Sequence, residues 1–386
     1  MKLKKFAAMG AAFGVALAGF GVGTAAHADP VTDGYSIVGS DTLQDAVSAL
    51  ANGTSITGSS VRLSGNGKAL ASWDAFTLGV SGGVGGIQTK AFGPIFDRPN
   101  GSGAGRSALV ASVGGTTGAA FTYNTVNVKD QVDFARSSSV GGTAGSLLTY
   151  VPFGQDAIGY VYKIGNATGG ADAVAAKAVV EDLTKAQLTS IYSANTLAAA
   201  SAALSGTGFT LQPIGLQSSS GTWTTFLGKI GVSALGTAVD TRGNNVPEND
   251  GRVLTPADNE IQIVPLSIAN YIGQVNGAAR INTFAGVSAG AIGGVAPYTG
   301  TAPALAPSTA YYTSSDWGRT VYIVVPTAKI TSGNAAFDQG VSDLVNTSSS
   351  TSLTYWGASG SPTTSKAVKI KFGFSAPTGT VVTRNN

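Results

Sequence analysis

The sequence predicts an α/β protein. Apolar runs of strand length alternate along the chain with segments of helical periodicity, and small polar turns join the two at four junctions. Hydrophobic residues make up 43% of the 386, enough to build a sizeable core. No fixed period of 20–50 residues recurs, so a solenoid is excluded.

The first junction sets the pattern. Residues 35–38 form a short apolar strand, and Leu43, Ala46, Val47 and Leu50 then recur at helical spacing. Between them Gly39-Ser40-Asp41-Thr42 has the residue types of a tight turn and a helix N-cap. A second junction runs from Asn100 through Gly101-Ser102-Gly103-Ala104-Gly105 into a helix over 107–112. A third leads from a strand at 131–135 into Arg136-Ser137-Ser138-Ser139. Residues 149–162 hold two β-rich runs, the second apolar enough for a central strand.

From 171 to 195 the pattern is helical, with Thr184 the N-cap of 185–192. A strand at 210–216 precedes the fourth polar turn, Ser218-Ser219-Ser220-Gly221-Thr222, which opens a helix carrying Trp223, Phe226, Leu227 and Ile230. Residues 260–275 are mixed, with a helical end at 267–274; 320–325 is a buried strand and 335–346 a helix. Gly-, Ser-, Thr- and Ala-rich stretches at 51–67, 79–86, 140–146, 286–316 and 347–366 read as loops or insertions.

Residues 1–28 read as a secretory signal peptide. Lys2, Lys4 and Lys5 precede an apolar stretch that ends in Ala26-His27-Ala28, with cleavage expected before Asp29. Its removal takes three basic residues and no acid, leaving 20 of each charge, so the net charge of +3 belongs to the signal. Nucleic-acid binding through a positive field then has no support. The only His also leaves, and the chain has no Cys. Ser-His-Asp triads, Cys nucleophiles, His- or Cys-ligated metals and disulfides are all excluded. Without a Cys at the cleavage site, a lipid anchor there is excluded too. The expected location is extracellular or at the cell surface.

The four turns share one chemistry. A helix N-terminus offers unpaired N–H donors and partial positive charge, and small hydroxylated residues let an anion approach. Converging turns of this kind would form an oxyanion site. Their order, from Gly39-Ser-Asp-Thr through Asn100-Gly-Ser-Gly-Ala-Gly, Val132-Asp-Phe-Ala-Arg-Ser-Ser and Leu183-Thr-Lys-Ala-Gln-Leu-Thr-Ser-Ile-Tyr to Ser218-Ser-Ser-Gly-Thr, resembles the phosphate-binding proteins of ABC uptake systems.

That resemblance implies a two-lobed fold of the type II periplasmic-binding-protein kind, with two crossover strands and the anion clamped between lobes. Lobe one would comprise 29–150 and 286–386, lobe two 151–285. Carried over by motif, the ligand residues are Ser40, Asp41, Thr42, Ser102, Gly103, Arg136, Ser137, Ser138, Ser220, Gly221 and Thr222. Two positions depart from the family pattern. Leu216 stands where an Arg is usual, and Ser138 where an Asp accepts the phosphate proton. Arg136, Arg98 or Arg106 could supply the missing cation, and Asp41 the acceptor.

The expected function is capture of an inorganic oxyanion, phosphate first, by a monomer that hands it to an ABC permease, with no cofactor and no metal. Sulfate is the alternative ligand, and a structural or adhesive surface protein reusing the fold is the alternative class. Catalysis has no support, because no Ser-x-x-Lys motif accompanies Ser102 or Ser220.

Overall fold

The computed structural model describes residues 31–76, 85–115 and 121–385. The signal peptide and most of the loop expected at 79–86 lie outside them. One mixed sheet organises the molecule. It is built from β1 (Tyr35–Gly39), β2 (Lys68–Ser72), β3 (Phe134–Ser137), β4 (Thr143–Ile164), β5 (Thr210–Pro213), β6 (Glu260–Ser267) and β7 (Gly318–Pro326) in the spatial order β5-β6-β4-β7-β3-β1-β2.

β4 is the spine. At 22 residues it is roughly 70 Å of extended chain at ~3.3 Å per residue. Its middle pairs antiparallel with β7 from Leu148 to Ala157, and its last third with β6 from Ile158 to Ile164. The two β-rich runs expected at 149–162 are therefore one continuous strand, because both halves find ladder partners. It starts at Thr143, inside a stretch expected to be loop, where it pairs with a C-terminal strand, Val382–Asn385.

Two bodies of core flank this spine. Around β1, β3, β4 and β7, adjacent residues point to opposite faces, and both faces are buried. Ile37, Phe134, Val151 and Ile323 pack on one side; Val38, Ala135, Tyr150 and Val324 pack on the other. The far end of β4 belongs to a separate cluster of Ile158, Tyr160, Tyr192, Leu211, Phe226, Ile263 and Ile272. The boundary expected at 285/286 falls inside that cluster, whose members continue through Phe284, Tyr311 and Tyr312 to Trp317. The chain returns to the first body along β7.

Helices α1 (Gln44–Asn52), α2 (Ser102–Val113), α3 (Ala173–Val180), α4 (Lys185–Tyr192), α5 (Gly221–Ile230) and α6 (Ile268–Val275) cover the sheet. Thr184 caps α4 in a full capping box with Gln187, as its position predicts. α2 begins at Ser102, five residues earlier than its apolar spacing suggests, with Gly101 at the N-cap at φ +95°. Among the described residues, no helix is long and apolar enough to cross a membrane.

Candidate functional site

The four polar turns meet where the two cores face each other. The first is held from below. Gly39 ends β1 at φ +105°, and Ser40 caps the single helical turn of Asp41–Leu43 by accepting from Thr42 N. Arg136, fully buried on β3, braces this turn. Its Nε donates to Ser40 O at 2.8 Å, Nη2 to Gly39 O at 3.0 Å and Trp73 O at 2.7 Å, and Nη1 to Ser72 Oγ at 2.8 Å. The Arg136 expected to reach an anion is thus engaged by backbone carbonyls, because β3 lies beside β1 and directs it beneath the loop.

The second and third turns touch directly. Ser138 N donates to Ser102 Oγ at 2.9 Å, and the two hydroxyls lie 3.0 Å apart. Ser137 faces elsewhere, donating to Ser139 O and accepting from Arg106 Nη1. The fourth turn closes on both from the other body. Gly103 N donates to Ser219 O at 3.2 Å, and Ser219 Oγ donates to Asn100 O. Ser220 caps α5, and a Cβ on Gly221 would lie 2.5 Å from Ser138 Oγ and 2.9 Å from Ser102 Oγ. Only glycine lets these hydroxyls come so near the helix start.

At the centre sits a residue that the sequence reading missed. Glu248 is fully buried, and its carboxylate collects the hydroxyls of the first and fourth turns. Oε1 accepts from Ser40 Oγ at 2.9 Å, Thr42 Oγ1 at 2.7 Å and Thr42 N at 3.3 Å, while Oε2 accepts from Ser220 Oγ. Thr222 Oγ1 lies 3.2 Å from Thr42 Oγ1. Asp41 accepts from Glu248 N at 2.7 Å. The sequence held one faint signal: Glu248 is among only three glutamates in the chain and lies between Pro247 and Asn249.

The cation also comes from an unexpected element. Arg319 on β7 stands directly opposite Asp156 on β4, and its Nε and Nη2 both donate to Asp156 Oδ2, at 3.0 and 2.8 Å. Nη2 also reaches Thr42 Oγ1 at 3.3 Å. Asp156 completes its bonds with Ser267 Oγ and Ala269 N. The crossover strands thus place a guanidinium beside the first turn, on the far side of the fold from Leu216 in sequence terms. Arg319 Nη1 and Asp41 Oδ1 are buried without a hydrogen-bond partner.

Proton positions follow from these contacts. Burial penalises the Glu248 charge, but the bond to Asp41, the charge of Arg319 and the hydroxyls of Ser220 and Thr222 outweigh it, holding the carboxyl down at about 2. Burial, then the Glu248 charge, pushes Asp41 well above the usual carboxylate range. The proton of the pair rests on Asp41. Nearby on α1, burial and then Asp74 raise Asp45 to about 7, against the opposing pull of Gln274, Arg136 and Arg280.

These shifts set a pH dependence. Folded Asp45 keeps its proton to about pH 7, whereas the unfolded chain releases it near 3.8, so stability falls as pH rises across that window. Asp41 acts in the same direction. Glu248 acts oppositely: its contribution is complete above its ordinary 4.5 and is lost as pH falls toward 2. Melting temperature should therefore peak on the acid side, near pH 4 where the two trends cross, and decline toward pH 7.5; Asp45→Asn should flatten that decline. A melting temperature that rises from pH 5 to 7.5 would contradict the assignment.

Fold and site together define a two-lobed α/β protein with crossover strands and a hydroxyl-lined seat, holding a carboxylate, between its lobes. No family model matches the sequence, and no curated protein matches it. Among solved structures, an ABC-type phosphate transport receptor from Vibrio cholerae is similar at 16% identity over 89% of this chain and 100% of that one, with a TM-score of 0.47. A putative phosphate ABC transporter substrate-binding protein with bound phosphate, from Clostridium perfringens, is similar at 15% identity over 78% and 90%, with a TM-score of 0.41.

Proposed function

We propose that the protein is a secreted binding protein whose lobes close on a small inorganic oxyanion, phosphate first, for delivery to an ABC-type permease. The observation that carries this is the convergence of the turns at 40–42, 102–103, 138 and 220–222 on one buried point between the two cores. Ser40, Thr42 and Ser220 aim hydroxyl donors at the two oxygens of a carboxylate there, and an oxyanion presents the same acceptors. Arg319 supplies the cation that neither Leu216 nor Arg136 provides. Asp41, protonated, can donate to an anion or, once ionised, accept a phosphate proton that sulfate lacks.

In this reading lobe one is 29–150 with the C-terminal portion, lobe two begins at 151, and capture is by hinge closure across β4 and β7. The protein acts as a monomer and carries out no chemistry on its ligand.

Titration calorimetry of the secreted protein is the test. Phosphate should give measurable heat and raise the melting temperature, with sulfate weaker. Neither heat nor a thermal shift with either anion up to millimolar concentration would remove the oxyanion reading. One observation favours a second reading in that event: Ser102, Ser138 and Gly221 are in mutual contact, and the hydroxyls of Ser40, Thr42 and Ser220 already have a protein acceptor. The lobes would then be fastened together, in a structural or adhesive surface protein.

A further inference from the structure

We infer that Glu248 is a resident ligand of the oxyanion seat, and that an anion binds there only by displacing its carboxylate. The inference rests on the oxyanion reading above and adds to it what governs entry.

Proton counting makes the first argument. A hydroxyl has a single proton to donate. Those of Ser40 and Thr42 go to Glu248 Oε1, and that of Ser220 goes to Oε2. An oxyanion seated on the same turns needs the same three protons, so it and Glu248 exclude each other. Charge makes the second. The buried seat already holds Glu248 and Asp156 against Arg319. Adding an anion without removing Glu248 would bury a further uncompensated charge, the costliest arrangement available to a protein interior.

The third argument concerns where Glu248 can go. Glu248 lies on no strand or helix. The chain there has only two single helical turns, at Arg242–Asn244 and Gly251–Val253. Its neighbours Pro247, Asn249 and Asp250 line a cavity of about 530 Å³ together with Gln44, Asp45 and Ser48 of α1. Space for a displaced side chain therefore adjoins the seat. A tethered carboxylate competes at an effective concentration in the millimolar range. The anions that win will be those with more acceptor oxygens than its two, which favours a tetrahedral oxyanion over a simple carboxylate.

Calorimetry with inorganic phosphate on the wild type and on Glu248→Gln tests this. The amide keeps the shape and removes the competing charge, so phosphate affinity should rise at least tenfold. Heat from Glu248→Gln alone, with the wild type silent, supports the competition at the seat while removing the reading of the wild type as an oxyanion binder. Equal or weaker phosphate binding by Glu248→Gln, with the wild type binding, overturns the inference and leaves the oxyanion reading standing. No heat from either protein overturns both. Should Glu248→Gln fail to fold, Glu248→Asp draws the charge back by one methylene and should tighten phosphate about threefold; no gain there overturns the inference as well.

Discussion

Replacing Arg319 with Met should destabilise the protein by about 3–5 kcal/mol, the usual result of removing one partner from a buried ion pair. Asp156 is fully buried, and Arg319 donates to it twice. Met fills a similar volume but leaves the carboxylate without a counter-charge, and Glu248 loses its nearest cation in the same step. Scanning calorimetry should show the melting temperature lowered by roughly 10 °C, at ~2–4 °C per kcal/mol for a chain of a few hundred residues. A companion variant separates the pair from the packing. Arg319→Met combined with Asp156→Leu should recover a large part of the loss, since a buried pair replaced by apolar residues is often neutral. A single variant that melts within 2 °C of wild type, by contrast, would show that water reaches the pair.

Gly39→Ala should cost about 3 kcal/mol, from backbone strain and overpacking together. The position has φ +105°, and a Cβ there would lie 2.7 Å from Arg136 O and 3.2 Å from Gly105 Cα. All of these are backbone atoms of β3 and α2, so no side chain can give way. Moving them shifts the first turn relative to the second, and phosphate binding should weaken with stability. Gly67→Ala is the control. It also has a positive φ, of +76°, but a Cβ there meets nothing within 4 Å, so only strain of about 1–2 kcal/mol remains. Equal urea midpoints for the two variants would show that the close approach of β1, β3 and α2 contributes nothing.

The legible parts of this molecule are those whose cause is local. Thr184 caps the helix expected of it, and Ser220 caps the helix that its turn opens, because an N-cap needs only a short polar side chain and the next three residues. The strand ending at Gly39 and the helix after Ser220 follow from runs of apolar residues at period 2 or 3.6. The fusion of two β-rich runs into β4 was not legible, since a strand's length depends on whether neighbours pair along all of it. Nor was the depth to which the second core runs, since Tyr311, Tyr312 and Trp317 join a cluster built from residues far away in sequence.

The charges show the same division more sharply. Arg136 stands at the third junction but within β3 rather than after it, and its direction depends on β3 lying beside β1, which turned it under the first turn and away from the seat. Glu248 meets Ser40 across 208 residues, and Arg319 meets Asp156 across 163. No periodicity or motif spans such distances. The sequence by itself determined that the site is made of neutral donors at helix ends, in a chain without His or Cys chemistry, because residue type and capping are local properties. Only the tertiary structure decided which charges stand among those donors, because an ion's partner is settled by the packing of segments far apart in the chain.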